Sequence, residues 1–247
     1  MVDVSVTNQV ELGGSGHGST WRAGVRDKMV FALRGCDRVS GADLAAVERV
    51  LGVVEACLLE TFPDDFYRRC AFSAFGVRAL LRDAGGDPVV VGGQFAAFVM
   101  APDGSRQALQ GFKSGREPHP HYWTEAGDRL IDLGPHLLAF GSDYPIVPMP
   151  ALAWDMSAPL PAAFRYCARQ RYPDGSPMSA DPDICDQADA FIAQCRAVIA
   201  DPERAPRLQS WVASSYASLL TAVQRQDAWA AGAKRFELVA HTQPLPF

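Results

Sequence analysis

Apolar residues recur at helical spacing over 40–60, where Leu44, Val47, Leu51, Val54 and Leu58 form one stripe. Ser40, with Asp43 three residues on, resembles a capping box and places the start of that helix. A second helical pattern covers 67–83; Gly85 and Gly86 stop it, and Pro88 enforces the stop. The period then changes. Val89-Val90-Val91 is a β-branched run, and after Gly92-Gly93 a second apolar stretch covers 95–100. Ala101-Pro102-Asp103-Gly104 has the composition of a turn, and 106–110 predicts a short strand. Residues 119–126 read as a strand, Gly127-Asp128 as a hairpin loop, and 129–133 as its antiparallel return. Helices followed by consecutive strands define an α+β class with an antiparallel sheet, the helical N-terminal part packed on it.

Between 144 and 161 the chain carries Pro145, Pro148, Pro150, Pro159 and Pro161, which reads as an irregular connection. Two more helices are expected beyond it. One, 183–200, carries Ile184, Ala188, Phe191, Ile192, Cys195 and Ile199 on one face. The other, 207–234, is apolar at Trp211, Val212, Leu219, Leu220 and Val223. The glycine- and serine-rich beginning, 1–25, reads as a flexible leader. The core is expected over 26–145, with 146–247 supplying the proline-rich connection and C-terminal helices packed on that core.

Composition narrows the function classes. Of 247 residues 48% are hydrophobic and 21% charged, which excludes a disordered chain. Lys and Arg total 23 against 28 Asp and Glu, so the net charge is 23 − 28 = −5, and no basic footprint for nucleic acid or an anionic membrane is present. No apolar run approaches the ~20 residues of a membrane span. Residues 1–28 have no basic stretch followed by an apolar one, so a soluble, cytoplasmic protein is expected. The cysteines Cys36, Cys57, Cys70, Cys167, Cys185 and Cys195 are spread too thinly for a disulfide framework, and none has C-x-x-C spacing.

One cysteine stands apart. Cys70 lies near the start of a helix, where the positive end of the dipole and unpaired backbone N–H groups favour a thiolate, and Arg68 and Arg69 precede it. The alternative is core packing, since Cys70, Ala74, Val77 and Leu81 share one helical face. The hairpin adds the remaining chemistry. With Gly127-Asp128 as the loop, Ala126 pairs with Arg129 and Trp123 sits opposite Asp132. His121 and Asp132 then face the same way as diagonal neighbours, within reach of a carboxylate–imidazole hydrogen bond. A carboxylate that fixes the imidazole, beside a histidine able to take a thiol proton, completes a nucleophilic triad. Backbone N–H of Cys70 is the first candidate oxyanion donor and the Gln94 amide a second. Trp123 faces with His121 and is a candidate wall of the site, or plain core.

Cys70-Ala71-Phe72, Ala79-Leu80-Leu81-Arg82, the glycine stop and the valine strand, followed by His121-Tyr122-Trp123 and Ile131-Asp132, resemble the core of the transglutaminase-like, broadly papain-like cysteine enzymes. The resemblance covers about 66–135. It implies a papain-like fold with extra C-terminal helices, Cys70 as nucleophile, His121 as base and Asp132 as orienting acid. It further implies thiol-dependent hydrolysis of, or transfer from, an amide, peptide or thioester, with no cofactor; peptidase or amidase chemistry ranks slightly first. Three features differ from the family pattern: Arg69 before the cysteine, Leu133-Gly134-Pro135 after the acid, and the long segment between Gly93 and His121.

Two rival readings remain at this level. His119 and His121 alternate onto one strand face and, with Asp132 or His136, would form the donors of a metal-dependent hydrolase or oxygenase. The other is a catalytically silent binding scaffold of the same fold, with Cys70 covered by the C-terminal helices.

Overall fold

The structure is a computed structural model that describes residues 43–112, 119–201, 203 and 205–240. The leader read at 1–25, Ser40 and Cys36 lie outside the described residues. The class is α+β. Among the described residues six α-helices surround one seven-stranded sheet. None of these helices is long and apolar enough to cross a membrane.

Helix α1 spans Leu44–Thr61, and its N-cap is Asp43, whose carboxylate accepts from the backbone N–H of Ala45. The expected stripe is the buried one: Val47, Leu51, Val54 and Leu58 pack against α2 (Cys70–Asp83) and α4 (Pro182–Ile199). The single helix expected over 67–83 is divided. Residues Phe66–Arg68 make one 3-10 turn, Arg69 leaves helical geometry, and α2 begins at Cys70 itself. Its end follows the glycine signal, with Gly85 in the left-handed region at φ 87°.

The two apolar runs on either side of Gly92-Gly93 form one 13-residue strand, β1 (Pro88–Met100), with a bulge at that glycine pair. Its edges are shared. Ala97 pairs with both Gln110 of β2 (Gln107–Gln110) and Phe164 of β6 (Phe164–Tyr172), so β2 and β6 lie on opposite edges. Strand β3 (His121–Ala126) pairs with 88–93, and β4 (Arg129–Asp132) returns from it with Ala126 opposite Arg129, the register expected from the hairpin loop. The order is β2-β1-β3-β4-β5-β7, with β6 on the free edge of β1.

The second half departs most from the sequence reading. The proline-rich connection contains β5 (Ala151–Asp155), antiparallel to β4, and the unanticipated β6 follows it. The helix expected over 207–234 is instead β7 (Val212–Ala213), α5 (Tyr216–Gln224) and α6 (Ala228–Val239). Gln226 at φ 63° ends α5, and Asp227 caps α6 by accepting from the N–H of Ala230. Because β7 pairs parallel to β5, the sheet is mixed and not purely antiparallel. Strands from both sides of residue 145 therefore share one sheet.

Two apolar layers result. The first holds α1, α2 and α4 against Ile131, Ala151 and Ala153. The second holds Phe98, Trp123, Trp154 and Phe164 with Trp229 of α6. Into the first layer is set a buried polar pair. His136, on α3 (Gly134–Leu138), bonds through Nε2 to Glu55 Oε1 at 2.6 Å, while Glu55 Oε2 accepts from the N–H of Gln209 at 2.9 Å. Glu55→Ala strands His136 inside the protein and frees the Gln209 N–H, so a loss of about 3–5 kcal/mol is expected in urea unfolding. A loss under about 1 kcal/mol would mean water reaches the pair.

Candidate active site

The site is assembled from the hairpin, the first turn of α2 and one residue of β6. His121, the first residue of β3, is fully buried, and its Nε2–H donates to Asp132 Oδ2 at 2.7 Å. The two strands bring them together because alternation along a tight hairpin returns both side chains to the same face. Asp132 is held on its other oxygen too: Oδ1 accepts from the backbone N–H of Gly134 at 2.7 Å, at the start of α3. On Oδ2 it accepts a second bond, from the Tyr166 hydroxyl, also at 2.7 Å.

The imidazole lies among aromatic rings. Phe112 stacks on it at 5.0 Å and 22°, Trp123 at 6.1 Å and 24°, and Phe95 contacts it at 4.7 Å. Ring faces attract a cation, so this packing tolerates an imidazolium where aliphatic packing would not. Full burial pulls His121 toward its neutral form. The Asp132 carboxylate, and next the Cys70 sulfur, outweigh that pull and push the ring up from 6.5 to about 10. The ring is then a cation at neutral pH.

Cys70 meets this cation from the N-terminus of α2 and is half-buried. With Nε2 committed to Asp132, Nδ1 is the nitrogen left for the sulfur; it is buried and has no hydrogen-bond partner among the described residues. Loose nucleophile–base contacts of this kind tighten when a substrate is seated. No side chain caps α2, and the first intrahelical bond runs from the N–H of Ser73 to the carbonyl of Arg69. The backbone N–H groups of the first turn, that of Cys70 included, are left for another acceptor.

The flanking arginines do something other than expected. Arg69 makes a two-pronged ion pair with Asp65, at 3.1 and 2.7 Å, and its guanidinium lies 4.6 Å from the Phe62 ring centre. Arg68 rests over Tyr67. The positive charge at Cys70 therefore comes from the helix start and His121.

Gln94 is not brought to the imidazole. It faces away from Phe95 on β1, and its Oε1 accepts from Arg169 Nη2 at 2.9 Å. Trp123 does stand beside His121, and it is also deep in the second apolar layer. His119 diverges from His121. Its Nε2 bonds Gln170 at 3.2 Å and its ring packs on Tyr122 and Tyr172, because Pro120 interrupts the strand and with it the alternation. His136, a further donor in the metal reading, is taken by Glu55. Among the described residues no three His, Cys, Asp or Glu are grouped so as to hold a metal ion.

Of the other described cysteines, Cys57 and Cys195 are buried against each other. Hydrogen bonding to Cys57 and burial push the Cys195 thiol up, away from reactivity. Cys167 and Cys185 are half-buried, as Cys70 is, and the Cys185 thiol donates to the Ser179 carbonyl.

Sequence reading missed Tyr166, Gly134 and Phe112. A signal existed for the first: Phe164-Arg165-Tyr166-Cys167-Ala168-Arg169-Gln170-Arg171-Tyr172 alternates with the period of two that marks a strand. For Phe112 there was none, since its contact depends on how the segment after β2 folds back.

No family model matches the chain, and no curated protein matches it. Among solved structures, a crystal structure described as that of genomics APC5867 superposes with a TM-score of 0.39 at 16% identity, over 70% of this chain and 96% of that one. A likeness so distant carries no argument about fold family or function.

Proposed function

We propose that the protein performs thiol-dependent acyl chemistry on an amide, peptide or thioester, through an acyl-enzyme on Cys70. The observation that carries this reading is the fully buried His121–Asp132 pair, bonded through Nε2 at 2.7 Å, with Cys70 at the start of α2 close enough to act on the imidazole. A papain-like, transglutaminase-like arrangement is part of the same reading. Its support is the arrangement of parts: a helix that opens on the cysteine, followed, with β2 intervening after β1, by three strands that are antiparallel neighbours, β1, the histidine strand β3 and the acid strand β4.

The Cys70 sulfur attacks the carbonyl carbon, and the electron pair moves onto the carbonyl oxygen. Backbone N–H of Cys70, at a helix start with no other claim on it, stabilises that oxyanion. Collapse of the tetrahedral intermediate breaks the bond to the leaving group, which takes its proton from His121 Nδ1. Water or an amine, deprotonated by the now neutral His121, then attacks the thioester, the C–S bond breaks, and the thiolate is released beside the restored imidazolium. Asp132 holds the proton on Nε2 throughout, so only Nδ1 exchanges protons with substrate. Gln94 has no part in these steps.

The test is alkylation by iodoacetamide at about pH 6–7, with modified sites mapped by mass spectrometry. Cys70, Cys167 and Cys185 are similarly accessible, so exposure alone does not separate them. Cys70 is expected to react about tenfold or more faster than the other two, and His121→Ala to bring it down to their rate. Equal rates for the three in the unmodified protein would sink the nucleophile assignment.

A further inference from the structure

Asp132 carries more than the orienting acid of a triad needs. Its Oδ2 accepts two hydrogen bonds of 2.7 Å, one from His121 and one from Tyr166. Tyr166 arrives from β6, which pairs with β1 and with neither strand of the hairpin, and its ring is fixed by Phe95 at 5.0 Å and Trp123 at 5.1 Å. The phenol thus lies on the same ring cluster that holds the imidazole, 6.4 Å from it.

We propose that Tyr166 is a positioning residue that sets how tightly His121 holds its proton, by taking part of the Asp132 charge. This rests on the acyl reading of Cys70 and His121. A carboxylate oxygen that accepts two strong bonds is a weaker partner to each, because the same electron density serves both. The point matters for an imidazolium that must release its proton to a leaving group. His121 is already held up to about 10, and an unshared carboxylate would hold the proton harder still. Burial and the adjacent Asp132 charge raise the Tyr166 hydroxyl well above its ordinary range. It therefore stays a fixed donor across the working pH range and exchanges no proton itself. The groups that act on His121 by charge are Asp132 from β4 and Cys70 from α2, and Tyr166 acts through Asp132.

Tyr166→Phe keeps the ring contacts and removes only the hydroxyl. Two readouts separate a charge-sharing role from a packing role. The first is the proton NMR resonance of the His121 imidazolium N–H, which is expected to move downfield as the bond to Asp132 strengthens. The second is the pH profile of Cys70 alkylation, whose alkaline inflection is expected to rise by about one pH unit. Replacement of Tyr166 by 3-fluorotyrosine, a stronger donor of nearly the same shape, is expected to move both the other way, and it reads the same question should the phenylalanine variant fail to fold. An unchanged resonance and inflection in folded variants overturns the role of Tyr166 while selective alkylation of Cys70 stands. Loss of that selectivity in the unmodified protein overturns the acyl reading instead.

Discussion

Asp132→Asn lowers the rate at which Cys70 is acylated by about 10⁴-fold while the protein stays folded. The reason is the arrangement of donors around this one side chain. Asp132 receives N–H from His121 and O–H from Tyr166 on Oδ2, and N–H from Gly134 on Oδ1. An asparagine has a single acceptor oxygen, so one of these sides must face an amide NH₂. If the oxygen stays with Gly134, the NH₂ donates to His121 Nε2 and the ring proton moves to Nδ1. A neutral ring that already carries its proton on Nδ1 cannot take the thiol proton, so the thiolate–imidazolium pair does not form. If the amide turns over, the Gly134 N–H is left facing a donor and α3 loses its anchor on the hairpin. Either way the imidazolium loses its counter-charge.

The same substitution has a signature in stability. His121 is raised in the folded protein from 6.5 to about 10. A raised value means the folded state binds the proton more tightly than the unfolded chain does. The resulting stabilisation is complete below pH 6.5 and is lost as pH rises through about 10. Urea midpoints measured at pH 6 and pH 10 should therefore lie further apart in the unmodified protein than in Asp132→Asn. Equal spacing in the two would show that His121 is not the group responsible.

The parts of this site that the sequence made legible are local ones. The hairpin register follows from the Gly127-Asp128 loop, and once it is set, alternation alone determines that His121 and Asp132 share a face. Cys70 at a helix start was legible for the same reason, although the break at Arg69 that makes it the first helical residue was not. The rest is non-local. Strand β6 carries a period-two alternation, but its run of Arg165, Arg169 and Arg171 reads as polar loop, and prolines surround β5 before it. Arg68 and Arg69 seemed to charge the site by adjacency in sequence, yet Asp65 and the rings of Phe62 and Tyr67 claim their guanidinium groups. The long helix expected near the C-terminus failed in two places: Val212–Ala213 pairs as a strand before the Ser215 cap, and left-handed Gln226 with the Asp227 cap divides the rest, short-range signals outweighed by the apolar stripe on either side.

Gly134 carries the other large effect. Its backbone needs no left-handed angle, so an alanine there meets no conformational penalty of its own. What it meets is the site. An added Cβ would lie 2.7 Å from His121 Nε2, nearer still to Cε1, and 3.0 Å from Asp132 Oδ1. None of these atoms has room to retreat. The imidazole is held by Phe95, Phe112 and Trp123, and the carboxylate is held by Tyr166 and by the Gly134 N–H itself. Something on the order of 1 Å of displacement must fall on the His121–Asp132 bond, and a misplacement of that size costs a reaction about 10²-fold. Gly134→Ala is therefore expected to slow Cys70 acylation by at least about that factor, at a stability cost of about 1–3 kcal/mol from overpacking. Gly104→Ala separates the two effects. Gly104 has φ 72° with nothing within 4 Å of an added Cβ, so alanine there costs about 1–2 kcal/mol of backbone strain and should leave the Cys70 rate unchanged. If both variants lose stability alike and both keep the rate, the close approach of α3 to the hairpin plays no part in positioning His121.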